Sequence, residues 1–171
     1  MREVTTQRRC MVAQGGVWLW PGLAVLLWLL AGPAAADPAF GFWLTENRRA
    51  IVEIGPCHAN GGEVCGHIVW SVAPHHPDGR LKTDAQNPDP ALRDRPICGL
   101  PLILGLQAAE PGGWDGGTIY NARDGSDYAV RIAAEGDRLE VRGYLGLSLF
   151  GSTQAWTREP GPREGCPSGQ R

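Results

Sequence analysis

Short runs of alternating apolar and polar residues, each ended by a turn-forming sequence, constrain this chain more than any other feature. Residues 127–134 place Tyr128, Val130 and Ile132 on one face, and residues 138–144 repeat the alternation. A period of two residues is typical of a strand with one buried face. Helical periodicity is almost absent, so the sequence predicts an all-β fold.

Eight such runs are predicted, and most of the connections between them are tight turns. Eight antiparallel strands expose two sheet edges unless the first strand pairs with the last. We therefore predict an antiparallel, up-and-down, eight-stranded barrel, which can be filled by side chains or hold one small ligand. A two-sheet β-sandwich stays open as the alternative. The predicted strands are residues 40–45, 49–56, 64–72, 100–106, 117–121, 127–134, 138–144 and 152–158.

The amino-terminal segment has the pattern of a removable signal peptide. A basic start precedes the apolar run 17–31, and the small residues 34–36 form an A-x-A cleavage pattern. The apolar run is shorter than the ~20 residues that a membrane-spanning helix needs. We predict a cleaved signal peptide (1–36), a barrel domain (37–158) and a disordered tail (159–171). The expected location is the periplasm or the medium, with membrane contact only through the removed peptide.

Composition argues against nucleic acid as a partner. Beyond residue 36 the chain has 13 Lys and Arg residues against 17 Asp and Glu residues, a formal net charge of −4. No basic stripe interleaves with aromatic residues, as a nucleic-acid surface would require.

Cys57 and Cys65 flank a loop between two predicted strands, which places their sulfur atoms across a hairpin. Export to an oxidising compartment favours a disulfide between them. A metal site that adds His58 and His67 is the alternative, but its spacing matches no common zinc pattern, so we expect no metal and no cofactor. Of the remaining three cysteines, Cys10 lies in the predicted signal peptide, and the pairing of Cys98 and Cys166 stays open.

A long proline-rich connection, residues 73–96, interrupts the strands. Asp89, followed by a proline, suits the start of one helical turn. Aspartates alternate with arginines along this segment, notably Asp84, Arg93 and Arg95. One interpretation is a self-paired ionic plug over one barrel mouth; the other leaves an arginine free to bind a carboxylate or phosphate.

Six segments in chain order span nearly all of the predicted barrel: GFWLTE (41–46), CGHIVW (65–70), DAQNPDPALRDRPICGL (84–100), WDGGTIYN (114–121), VRGY (141–144) and TQAWTR (153–158). Together with Cys57 they resemble the bacterial family called domain of unknown function 2147. The resemblance implies an exported, lipocalin-like barrel and no particular activity.

Gly41 and Trp43 also resemble the Gly-x-Trp of the first lipocalin strand, and Arg158 stands where lipocalins place an arginine against that tryptophan. Trp156 shares a face with Arg158 on the last predicted strand. We expect these four residues to close the barrel, with the Arg158 guanidinium within about 6 Å of the Trp43 ring.

No nucleophile lies in a recognisable catalytic motif, so we name no catalytic residue. The leading hypothesis is a non-catalytic protein that binds a small, partly apolar ligand. The alternatives are a structural or interaction module of the cell envelope with a solid core, and an enzyme on the same scaffold. An internal cavity would favour binding. The candidate ligand-binding residues are His67, Trp70, Arg93, Arg95, Trp114, Tyr120 and Tyr128.

Overall fold

A computed structural model of the chain describes residues 36–57, 62–146, 149 and 151–167. Residues 1–35 of the predicted signal peptide, and His58 of the metal-site alternative, lie outside the described residues. The strands are β1 (Gly41–Leu44), β2 (Ala50–Pro56), β3 (Val64–Ser71), β4 (Pro101–Ala108), β5 (Trp114–Asn121), β6 (Ser126–Glu135), β7 (Arg138–Tyr144) and β8 (Gly151–Glu159).

The eight strands form one closed barrel in which each strand pairs with the next and β8 pairs with β1. All pairings are antiparallel, and the closing seam aligns Phe42 with Glu159, Trp43 with Arg158 and Leu44 with Thr157. The predicted up-and-down barrel is confirmed. The sandwich alternative is wrong, because closure leaves no free edge between two sheets.

The two ends of the barrel differ. The loops β1–β2, β3–β4, β5–β6 and β7–β8 lie at one end, which we call the mouth; the other end, where β1 begins and β8 finishes, is the closed end. A continuous apolar core fills the interior toward the closed end. Its fully buried members include Trp43, Val52, Ile54, Val64, Ile103, Leu106, Val130, Ile132, Leu139, Val141 and Trp156.

Trp43 and Arg158 form the plug of the closed end. The guanidinium carbon of Arg158 lies 4.1 Å from the centre of the Trp43 ring, and Trp43 is completely buried. Arg158 donates hydrogen bonds to the carbonyls of Phe40 (3.1 Å) and Pro38 (2.5 Å), and the indole of Trp43 donates to the carbonyl of Ala39 (2.8 Å). These bonds tie the amino-terminal approach of β1 to the last strand.

Gly41 is required where β1 passes under this arginine. Its φ of 121° is one that side-chain-bearing residues rarely adopt, and a Cβ there would lie 3.3 Å from Nη1 of Arg158. The sequence spacing Gly41-x-Trp43 therefore has a local physical cause.

The β3–β4 connection contains the predicted helical turn. Residues Pro90–Leu92 form a single 3-10 turn, and the Asp89 carboxylate accepts from the backbone N–H of Ala91 at its start. Asp84 is fully buried and bonds Tyr120 of β5 at 2.7 Å, so the connection is held against the barrel wall.

A β-bulge in the β2–β3 ladder reverses the direction of Trp70. The register steps from Val52 opposite Ile68 to Ile51 opposite Trp70, which leaves one extra residue on β3. Val52 and Ile68 belong to the interior, so the extra residue turns Trp70 to the outer surface. Ile51 is fully buried on that surface.

The carboxy-terminal segment crosses this outer surface. Its Arg163 guanidinium lies 5.0 Å from the Trp70 ring centre, and the Trp70 indole donates to the carbonyl of Glu164 at 3.0 Å. A disulfide between Cys98 and Cys166 fixes its end. Residues 159–167 therefore differ from the expected disordered tail, because the sequence pattern does not reveal a covalent anchor so distant along the chain.

The second disulfide joins Cys57 to Cys65 across the β2–β3 hairpin, as predicted, with Cα atoms 5.1 Å apart. Because two disulfides persist only in oxidising surroundings, they indicate a non-cytoplasmic compartment. In the described part of the chain, no helix is long and apolar enough to span a bilayer.

Trp43→Ala should lower the free energy of unfolding by about 3–5 kcal/mol, because it opens a cavity in a fully buried plug. Arg158→Lys should cost less, since lysine keeps a cation within reach of the Trp43 ring and even complete loss of a cation–π contact costs ~2 kcal/mol or less. Urea unfolding followed by circular dichroism measures both. A Trp43→Ala variant within about 1 kcal/mol of wild type would contradict this account of the plug, given the 2–5 kcal/mol typical of large-to-small core substitutions.

The two disulfides should differ in their contribution to stability. Chain-entropy arguments assign roughly 2.5 kcal/mol to closing the Cys57–Cys65 loop and roughly 4 kcal/mol to the longer Cys98–Cys166 loop, since the sequence separations are 8 and 68 residues. Paired Cys→Ser variants compared by urea unfolding test the ranking. A smaller loss for the Cys98/Cys166 pair would reverse it.

Candidate functional site

A cavity of about 820 Å³ occupies the mouth half of the barrel. It exists because several inward positions there carry small side chains. Strand register places Ala50 opposite Ser71, and Gly143 opposite Ser152, on inward faces of the sheet, and all four line the cavity. Toward the closed end, larger side chains replace them and the interior is packed.

The deeper part of the cavity is mainly apolar. Ile68, Ile119, Val141 and Trp156 line it, and all four belong to the apolar clusters of the barrel interior. Gln154 is the polar exception, and its side-chain oxygen accepts from the Trp156 indole at 2.9 Å. The cavity therefore offers an apolar floor with one amide held above it.

The cavity is open to solvent. Ser152 and Gln154 share the inward face of β8 with the buried Trp156, yet both are exposed. An inward residue can be exposed only where water enters the barrel. A ligand could therefore reach the floor from the mouth without unfolding a strand.

Positive charge collects at the cavity rim. Arg49, Lys82 and Arg123 line it, each from a different connection at the mouth, and His76 lies among them. Among the described residues that line the cavity, none is Asp or Glu. The entrance is therefore cationic in a chain whose net charge beyond residue 36 is negative.

One wall is fixed by a buried polar network around Asp84. Its carboxylate accepts hydrogen bonds from the Tyr120 hydroxyl (2.7 Å), the Asn87 amide (2.8 Å) and Nε of Arg95 (2.9 Å), and it forms an ion pair with Nη2 of Arg95 at 2.8 Å. Arg93 donates to the carbonyl of Asn87 at 2.8 Å. A buried carboxylate is tolerated only with such partners.

Tyr120 connects this network to the cavity, which it lines. Burial raises the pKa of its hydroxyl, and the hydrogen bond to the Asp84 carboxylate raises that pKa further. At the mouth end of β7, burial and a 3.1 Å hydrogen bond to Asp115 raise the pKa of Tyr144, which also lines the cavity, in the same way. Both hydroxyls therefore remain donors at neutral pH.

The candidate ligand-binding residues divide into three groups. Tyr120 and Tyr128 line the cavity. Arg93 and Arg95 are engaged inside the β3–β4 connection, which matches the self-paired ionic interpretation rather than the free-arginine one.

The other three candidates lie outside the cavity, contrary to expectation. The β-bulge turns Trp70 outward, and His67 pairs with Glu53 on the outer face of the β2–β3 ladder. Trp114 lies toward the closed end, where its ring stacks on Phe40 at 6.0 Å. These three side chains were expected in the cavity because of their residue type alone. Residue type does not determine which side of the sheet a side chain faces.

Sequence reasoning missed the small residues that leave space for the cavity and the cations that border its entrance. Gly143 and Ser152 were visible as small residues at inward positions of alternating strands, and that pattern is the signal for an unfilled interior. Arg49, Lys82 and Arg123 carried no such signal, because they lie in three connections that only the closed barrel brings together. No cluster of three or more potential metal ligands occurs among the described residues.

Comparison with known proteins supports the family resemblance. Residues 41–158 match the family described as uncharacterized proteins conserved in bacteria, DUF2147. Among solved structures the chain is similar to protein HP1028 of the human pathogen Helicobacter pylori, described as belonging to the lipocalin family. That similarity has a TM-score of 0.61 with 26% identity and covers 72% of this chain and 84% of the other. No curated protein sequence matches this chain.

Tyr120→Phe should lower the free energy of unfolding by about 1–3 kcal/mol, because it removes a donor from the buried Asp84 carboxylate. Since folding raises the Tyr120 pKa above its ordinary value, its contribution is complete below pH ~10 and is lost as pH rises through the folded-state pKa. The variant should therefore lose less stability than wild type in alkali, and Tyr144 should account for part of the slope that remains.

Urea unfolding at neutral pH and between pH 9 and pH 11, roughly bracketing the ordinary tyrosine pKa, tests this. Tyr128→Phe is the matched control for stability at neutral pH, because the Tyr128 hydroxyl bonds no described residue. Equal stability and equal alkaline sensitivity of Tyr120→Phe and wild type would show that the Asp84 network does not stabilise the fold.

Proposed function

The chain belongs to the DUF2147 family of bacterial proteins, and from that premise we propose that it is an exported, non-catalytic protein that binds a small, partly apolar ligand. The site is the mouth half of the barrel. The observation that carries the proposal is the division of one interior into a packed half and an open cavity of about 820 Å³.

The size and lining of the cavity support binding. Protein interiors are close-packed, and unfilled apolar volume reduces stability. Folding alone therefore does not explain a cavity whose floor is formed by Ile68, Ile119 and Trp156. Its volume is within the range of roughly 300–1,000 Å³ typical of small-molecule sites. The alternative of an envelope module with a solid core predicts a filled interior at both ends and is less favoured.

The placement of titratable groups favours binding over catalysis. Among the described residues that line the cavity, no two titratable side chains hydrogen bond to each other, and the nearest carboxylate network, at Asp84, is saturated by partners within the wall. Catalytic acids and bases are usually oriented by a second group, and the described lining assembles no such pair around its free titratable side chains, which include His76 and Lys82.

We propose the periplasm as the location. The two disulfides indicate an oxidising compartment, and the pattern of residues 1–36 is that of a signal peptide. The partner in this proposal is a small molecule of the cell envelope; nucleic acid is not expected, given the net negative charge.

Gly143→Leu tests whether the cavity is the binding site. A Cβ at this position would lie 3.6 Å from Ile119 and 4.0 Å from Tyr128, which are ordinary contacts, so the strand should tolerate the change while the added side chain fills the cavity. We expect the affinity for N-phenyl-1-naphthylamine, a neutral apolar fluorescent probe, to fall about tenfold or more, because the leucine occupies apolar space that the probe would otherwise fill and burial of a group of that size is worth about 1.5–3 kcal/mol.

Gly55→Leu is the matched control, because Gly55 lies on the outer face of β2 and a Cβ there meets nothing within 4 Å. It should bind the probe as wild type does, and urea unfolding should show both variants folded. Failure of the wild type to bind the probe, or unchanged binding by a folded Gly143→Leu variant, would overturn the proposal.

A further inference from the structure

We infer that the ligand is an amphiphile with a single anionic head group, held at the mouth by Arg49, Lys82 and Arg123, and an apolar body on the cavity floor. This inference rests on the proposed function and assigns the chemical class of its ligand. The head group can be a carboxylate or a phosphate monoester, since both present oxygen atoms to a guanidinium or ammonium group.

The first observation is the sign of the charge at the rim. Arg49 begins the approach to β2, Lys82 lies in the β3–β4 connection and Arg123 lies in the β5–β6 turn, and all three line one cavity. Like charges gathered from three separate connections repel one another. An anionic ligand would relieve that repulsion, whereas a neutral ligand would not.

The second observation is that these three cations are not used by the fold. Among the described residues, none of their side chains has a hydrogen bond or an ion pair. Other arginines are engaged by carboxylates in the folded chain, including Arg80, Arg95, Arg158 and Arg163. The rim cations are therefore available to a ligand.

Three carboxylates of the same connections already have partners in the folded chain. Asp78 pairs with Arg80, Asp84 lies inside its buried network, and Asp124 accepts from Asn121 and from the backbone of its own turn. No carboxylate lies beside the three cations in the described lining of the cavity, so the positive charge of the rim has no counter-charge there.

The polarity gradient sets the orientation of the ligand. An unpaired anion on the floor among Ile68, Val141 and Trp156 would lose its hydration without a compensating partner. The same anion at the rim keeps water on one side and meets cations on the other. The apolar body must therefore point inward, with its end against Trp156.

Displacement of N-phenyl-1-naphthylamine by ligands of equal chain length tests the inference. Dodecanoate, dodecyl phosphate and dodecanol have the same apolar body and differ in the head group. All are used below their micelle-forming concentrations. We expect at least one of the two anions to compete about tenfold or more better than dodecanol, the effect of one or more charge-assisted hydrogen bonds. Comparison of the two anions then identifies the head group.

Charge-removing variants locate the contact. The triple variant Arg49→Gln, Lys82→Gln, Arg123→Gln should bring the preferred anion to the affinity of dodecanol and leave binding of the neutral probe unchanged. The matched control is Arg48→Gln, Arg131→Gln, Arg138→Gln, which removes the same net charge from exposed residues outside the cavity lining. It should retain the preference for the anion.

Lys82 provides a second readout, because it is the only lysine in the sequence. Reductive methylation followed by peptide mass spectrometry reports on this amine alone once the amino terminus is assigned. A saturating anion should slow its modification severalfold, and saturating dodecanol should not.

The outcomes separate the two proposals. Binding of the probe and dodecanol with no preference for either anion would overturn the inference and leave the proposed function standing. If the control variant also loses the preference for the anion, that preference comes from the overall charge of the protein. This result would equally overturn the inference. No binding of the probe or of any of the three ligands would overturn the proposed function itself.

Discussion

Closure of the sheet between β1 and β8 is the constraint on which the rest of this structure depends. The seam is short, with three aligned residue pairs, and the backbone ladder is reinforced by side chains. Arg158 covers the Trp43 ring and bonds two carbonyls before β1. Without that seam, both edge strands would expose unpaired N–H and C=O groups. Because the plug closes one end, any opening must lie at the other.

The division of the interior follows from side-chain size along the inward faces. In β7, Leu139 and Val141 precede Gly143, and in β8, Trp156 gives way to Gln154 and Ser152 toward the mouth. These two strands therefore taper from large to small side chains in the direction of the mouth. The closed half supplies the close packing that stabilises the domain, which leaves the mouth half free of that requirement. The packed core and the proposed binding cavity thus occupy different lengths of the same strands.

The fold was predictable because alternation, turns and closure all report on local backbone geometry. Period-two patterns located the eight strands, and the need to cover their edges indicated the barrel. The site was only partly predictable. Tyr120 and Tyr128 line the cavity, but Trp70 does not, because a β-bulge of one residue reverses its side and leaves no mark in the sequence. The rim cations escaped notice for a different reason: their proximity is produced by closure over distant parts of the chain.

The connectivity of the disulfides has a consequence for biogenesis. The sequence has five cysteines, of which Cys10 lies in the predicted signal peptide. The four beyond residue 36 can pair in three ways, and this protein joins each to its neighbour in sequence order, Cys57 to Cys65 and Cys98 to Cys166. A chain that crosses a membrane amino terminus first delivers its cysteines to the oxidising side in that order. Joining each arriving cysteine to the free one before it produces the native pairs directly. In the compartment that we propose, the protein would therefore need an oxidant but no disulfide isomerase.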